Sequence, residues 1–130
     1  MPSVTHLAIK VDNLDAESKL YETVFGFKYV STVNSPGRVS RHLSDGALFL
    51  TLIKYDSEQS DEADLSGPGP CIHHFGVEVD DPARYEAALK EFGCEIISGS
   101  ADKMPIKFRS ADGIVAELLA KNTIPNPQKD

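Results

Sequence analysis

The stretch Cys71-Ile72-His73-His74-Phe75-Gly76-Val77-Glu78-Val79-Asp80-Asp81 sorts its side chains by alternation. As an extended strand it puts His74, Gly76, Glu78 and Asp80 on one face and His73, Phe75, Val77 and Val79 on the other. Phe75, Val77 and Val79 make the second face apolar, so a helix is expected to cover it. The face of His74 then lines a polar space or meets solvent. Asp80-Asp81-Pro82 punctuates the passage into a helix: an acceptor side chain caps the first turn, and Pro stands near N1.

The same pattern occurs earlier, in Thr5-His6-Leu7-Ala8-Ile9-Lys10-Val11-Asp12-Asn13. His6 aligns with His74, Val11 with Val79 and Asp12 with Asp80. Each copy is followed by an amphipathic stretch ending in Phe-Gly, at Phe25-Gly26 and at Phe92-Gly93. Two copies of one unit make a paired module, not a solenoid.

The first module reads as strand 4–11, a helix capped by Asn13 or Asp15 and running to Phe25, and strands 27–34, 38–44 and 47–55. Ala16, Leu20, Tyr21 and Val24 recur at helical spacing, and Gly26 stops the helix as a C-cap glycine would. Asp45-Gly46 marks a hairpin turn. The second module reads as strand 72–79, helix 82–92, and strands 94–98, 106–109 and 114–120, with 99–104 as a loop. Tyr85, Ala88, Leu89 and Phe92 form the apolar side of its helix, and Tyr21, Tyr85 and Phe92 are expected in the core. The whole of 1–130 is one domain: module one at 1–55, a polar acidic linker at 56–70, module two at 71–121 and a fraying tail at 122–130. The linker is expected to be solvated, as a tether or a mobile flap.

Bulk properties exclude several classes. The net charge of -7 argues against nucleic acid as a main partner, since phosphate contacts need a basic face. No run approaches the ~20 apolar residues of a membrane span, and no basic-then-apolar signal segment opens the chain. Two cysteines, Cys71 and Cys94, make no disulfide framework. They open neighbouring strands, so a bridge is compatible with the pattern. Reduced thiols in the cytoplasm are the expectation.

Chemistry concentrates at three residues. Glu117 sits inside the apolar run Ile114-Val115-Ala116-Glu117-Leu118-Leu119, where a buried unpaired carboxylate costs several kcal/mol. His6 and His74 open equivalent strands, and symmetric pairing of the halves brings all three to one spot. Two neutral imidazoles and a carboxylate suit a divalent cation, with Fe, Zn, Mn or Ni ranked above Mg. The competing reading of Glu117 is an ion pair with Lys10, Lys107 or Arg109. His42 either faces the site or is a surface histidine of an edge strand. Lys107 and Arg109 share a face and are candidates for holding a substrate anion. His73 points to the opposite face.

The duplication, the strands HLAIKVDN and HFGVEVDD, and the stretch SADGIVAEL together resemble the vicinal oxygen chelate superfamily, the glyoxalase, bleomycin resistance and extradiol dioxygenase group. The resemblance covers residues 4–120. It implies an α+β fold of two βαβββ modules forming an open, cupped mixed β-sheet barrel around one metal. It carries the metal positions to His6, His74 and Glu117, with Glu117 also the catalytic candidate. Glyoxalases and epimerases place a Glu or Gln in the fourth strand; here ALFLTLIKY puts Thr51 there, a poor ligand that is left as a substrate-side candidate. The resemblance further implies a homodimer and a small-molecule substrate whose vicinal oxygens chelate the metal, in lyase, isomerase or dioxygenase chemistry. The alternative is a non-catalytic binding protein like those for bleomycin.

Overall fold

The computed structural model describes residues 1–57 and 60–124. In chain order the elements are β1 (Ser3–Lys10), α1 (Leu14–Phe25), β2 (Lys28–Ser35), β3 (Arg38–Ser44), β4 (Phe49–Tyr55), α2 (Asp61–Asp64), β5 (Cys71–Val79), α3 (Pro82–Glu91), β6 (Glu95–Ser100), β7 (Lys103–Arg109) and β8 (Val115–Ala120). The strands form a mixed sheet in the order β2-β3-β4-β1-β5-β8-β7-β6. Each half repeats one plan. Its first strand runs parallel to its last, β1 with β4 and β5 with β8, and the outer pairs are antiparallel. The expected β-α-β-β-β duplication is present.

By compactness the described residues divide into His6–His73 and a second unit of Met1–Thr5 with 74–124. In the first unit Asn13 caps α1 by accepting from the Ala16 N–H at 3.0 Å, and Gly26 closes it in the left-handed region at φ 72°. The inward stripe of α1 is Leu14, Ser18 and Tyr21, not the Ala16, Leu20 and Val24 of the sequence reading; Leu20 and Val24 are exposed. Positions 14, 18 and 21 follow the i, i+4, i+7 spacing, and the buried Ser18 hydroxyl is satisfied by Glu22 at 2.7 Å. Leu14 and Tyr21 pack with Ile9, Phe27 and Leu50 on a core of Val11, Leu43 and Leu52.

Of the segment expected to be solvated, the described part around α2 and Gly67 is docked by side chains. Lys10 shares the face of His6 and Ala8, is only 2% exposed, and reaches into this segment. Its Nζ donates to the Ala63 carbonyl at 2.9 Å and the Gly67 carbonyl at 2.6 Å. The His73 ring, buried and tilted against Tyr55, lies 2.7 Å from the Glu62 carbonyl through Nε2, and Arg38 pairs with the Glu62 carboxylate. Ala63, within α2, is fully buried. A polar composition announces a loop, whereas here backbone carbonyls are the acceptors that let a lysine be buried, and backbone acceptors leave no trace in composition.

In the second unit Asp81 accepts from the Arg84 N–H at 3.3 Å and Pro82 stands at the first turn of α3. Val79, Ile106 and Leu118 form the core, with Val77, Tyr85, Leu89, Ile96, Met104 and Phe108 against them. Phe92, expected in that core, is 90% exposed because it follows the last turn of α3, past the stripe of Tyr85 and Leu89. The expected loop at 99–104 is mostly strand, with a register shift between Ser98 and Ser100. Gly99 has φ +83°, and a Cβ there would lie 2.1 Å from the Pro105 carbonyl oxygen, so only glycine admits this approach of β6 to β7. Of the expected tail, only 122–124 are among the described residues; the rest lies outside them.

Lys10→Met should destabilise the protein by about 1–3 kcal/mol, because two buried carbonyls lose their donor. It should also expose 56–70 to limited proteolysis. Unchanged urea midpoints and an unchanged cleavage pattern would contradict this account of the segment.

Candidate metal centre

Strand register fixes which side chains can meet. In the first unit His6 pairs with Phe49, Ala8 with Thr51, and Thr51 in turn with His42 across β4 and β3. In the second, Gly76 pairs with Glu117, and Glu117 with Lys107 across β8 and β7. Cross-strand partners project to one face, and residues two apart share it. His6, Ala8, Thr51 and His42 therefore share a face, as do His74, Gly76, Glu117 and Lys107. The repeat makes Thr51 the counterpart of Glu117, and His42 the counterpart of Lys107.

The two faces carry different chemistry. In the second unit His74 Nε2 is 3.3 Å from Glu117 Oε1, and Lys107 Nζ is 3.8 Å from Glu117 Oε2. All three residues are buried. In the first unit the corresponding contact is uncharged: His42 Nδ1 lies 2.9 Å from Thr51 Oγ1. The His42 ring also stands edge-on to Phe49, with centroids 6.4 Å apart. Burial first, and then the nearby His6, push the His42 pKa down to about 4, so its imidazole is neutral at ordinary pH.

His6, His74 and Glu117 each offer one ligand atom, and these atoms all lie within 4.8 Å of one another. The residues are 3%, 5% and 7% exposed. Two imidazoles and a carboxylate are a donor set for a borderline divalent ion. The 3.3 Å between His74 Nε2 and Glu117 Oε1 matches two neighbouring ligands at about 2.1 Å from one ion. The residues present thus fit a divalent metal.

The other nominated residues separate. Arg109 Nη1 is bound to Glu95 Oε1 at 3.1 Å, across to β6, which directs it away from Glu117. Lys107 stays beside Glu117. His42 is not on an edge strand: β2 takes the edge, and β3 lies between β2 and β4. The Thr51–His42 contact went unread in the sequence. The hairpin turn at Asp45-Gly46 sets the register that pairs the two, and alternation counted outward from that turn would have found it.

The low pKa of His42 has a sign. The unfolded chain binds this proton near pH 6.5 and the folded chain only near 4. Stability from His42 is therefore complete above about pH 6.5 and is lost as pH falls towards 4. Between pH 7 and 5, wild type should lose about 2 kcal/mol more stability than His42→Gln, measured by urea unfolding of the metal-free proteins. Equal losses would contradict a buried neutral imidazole here.

Comparison with known proteins agrees with this fold. The family model of the Glyoxalase/Bleomycin resistance protein/Dioxygenase superfamily matches residues 3–125. No curated protein matches. Among solved structures, hypothetical protein BH1468 from Bacillus halodurans C-125 is 22% identical with a TM-score of 0.80, over 92% of this chain and 94% of that one. Methylmalonyl-CoA epimerase from Mycobacterium tuberculosis is 22% identical with a TM-score of 0.76, over 90% of this chain and 86% of that one. A methylmalonyl-CoA epimerase in complex with methylmalonyl-CoA and NH4+ is 24% identical with a TM-score of 0.76, over 95% and 97%. At these identities the structures speak to the fold. The match over 3–125, carried by two βαβββ halves, places the chain in the glyoxalase/bleomycin resistance protein/dioxygenase superfamily.

Proposed function

We propose that His6, His74 and Glu117 hold one divalent cation and that the chain is a metal-dependent enzyme of the isomerase or lyase type. The observation that carries this reading is the buried set of three ligand atoms within 4.8 Å. A bound cation supplies Lewis acidity to substrate oxygens, lowering the cost of negative charge that develops on them. Glu117 anchors through Oε1 while Lys107 holds its other oxygen. Burial keeps water from screening these charges. His42, held against Thr51, is the candidate proton-handling group of this reading. That two structures of the same fold are epimerases supports isomerase over dioxygenase chemistry in this reading.

The reading includes a small-molecule substrate, a homodimer and a cytoplasmic setting, in which Cys71 and Cys94 remain free thiols. Among the described residues no helix is long and apolar enough to cross a membrane.

His74→Ala and Glu117→Gln should each lower divalent-metal affinity by about a hundredfold or more, read as metal content after dialysis. Thr51→Glu should tighten it, by adding a second carboxylate at the position equivalent to Glu117. Full metal content in His74→Ala would refute the ligand set. Metal-free wild-type protein that still binds small molecules would favour the binding-protein reading.

A further inference from the structure

Lys10 and Arg38 are two cations on one face of the first half, and one short segment supplies oxygens to both. Register places them together: Lys10 pairs with Ile53, Ile53 with Ser40, and Arg38 lies two residues from Ser40, opposite Tyr55. Lys10 donates to the carbonyls of Ala63 and Gly67, while Arg38 pairs with the Glu62 carboxylate. Glu62 and Ala63 are consecutive residues of α2. Lys10 stands four residues beyond His6 on that face, about 13 Å along an extended strand, so this cation pair is separate from the candidate metal ligands.

The seating of α2 on this face is easily exchanged. Its four residues are too few to keep a helix without tertiary support. Ala63 is its buried residue, and one methyl group contributes little apolar area. The described ties are polar: Lys10 and His73 on backbone carbonyls, and an Arg38–Glu62 pair about a third exposed on both sides. Water competes for such groups, so each tie adds little net stability. A segment held this way opens locally at a fraction of the cost of global unfolding.

We propose that Lys10 and Arg38 form an anion site, that α2 fills it with its own oxygens, and that a small acidic ligand bearing phosphate or carboxylate groups displaces α2 to bind there. The Glu62 carboxylate and the two carbonyls stand in for the oxygens of that ligand. Oxyanions accept more strongly than the carbonyls they replace, so the exchange leaves both cations satisfied. Bound anion thereby shifts the population from the docked segment to the open one. The site does not depend on the metal reading.

The experiment titrates inorganic phosphate and succinate by calorimetry into wild type, Lys10→Met, Arg38→Gln, Glu62→Gln, Asp61→Asn and His74→Ala. Hydrogen exchange of 60–67 in wild type is followed with and without saturating anion. Wild type should bind at least one anion saturably, the tighter one naming the acid group of the ligand. Lys10→Met and Arg38→Gln should each weaken binding about tenfold or more. Glu62→Gln should tighten it about three- to fivefold, because a competing ion pair is lost. Asp61→Asn removes the same charge from an exposed residue of α2 and should change affinity less than about twofold. His74→Ala should bind as wild type does. Bound anion should speed exchange of the Ala63 and Asp64 amides, which in the docked segment donate to Ser60. The inference is overturned by no saturable binding of either anion, or by exchange at 60–67 that is slowed or unchanged when anion is bound. Equal gains from Glu62→Gln and Asp61→Asn would overturn it too, as would loss of binding in His74→Ala, which would put the anion at the metal centre. The wild-type measurements need no variant to fold.

Discussion

A carboxylate inside an apolar strand is the constraint on which the rest of this structure depends. Glu117 stands in β8 among Val115, Ala116, Leu118 and Leu119, all buried. Taking such a charge out of water costs several kcal/mol unless opposite charge and hydrogen bonds meet it. The chain meets it from two sides, with the His74 imidazole on one oxygen and the Lys107 ammonium on the other. Parallel pairing of β5 with β8 and antiparallel pairing of β7 with β8 set these neighbours at fixed register. The sheet is arranged around an electrostatic requirement as well as an apolar one.

Duplication explains how such a site can arise within one short chain. A single βαβββ module supplies one histidine-bearing strand and one cross-strand position facing it. Two modules supply two of each, and the copies have diverged in chemistry while keeping their register. Thr51 with His42 is a neutral, hydrogen-bonded pair; Glu117 with Lys107 is an ion pair. The asymmetry gives one half a buried ion pair and the other a neutral imidazole against a hydroxyl.

Much of this was legible in the residues. Period-two alternation separated the faces of β1 and β5, and the repeated histidine located the duplication, because a one-residue slip would have turned every side chain over. Asn13, Gly26, Asp81 and Pro82 announced the helix ends through local chemistry that needs no tertiary context. The illegible parts depend on distant partners. The inward stripe of α1 was misjudged because Ser18, a polar residue, takes a core position with Glu22 as its partner. Phe92 read as core by type but lies beyond the helix that would have buried it. The docking of α2 and Gly67 rests on Lys10 and His73 reaching backbone carbonyls, and Arg109 was drawn away by Glu95 on β6.

The most direct test of the account is X-ray absorption at the metal edge of the zinc- or nickel-loaded protein, which counts imidazoles through their multiple-scattering signature. The predicted result is two imidazoles and at least one oxygen ligand at about 2.0–2.2 Å, falling to one imidazole in either His6→Ala or His74→Ala. A wild-type spectrum without imidazole scattering, or one unchanged by both substitutions, would contradict the claim that His6, His74 and Glu117 share one ion.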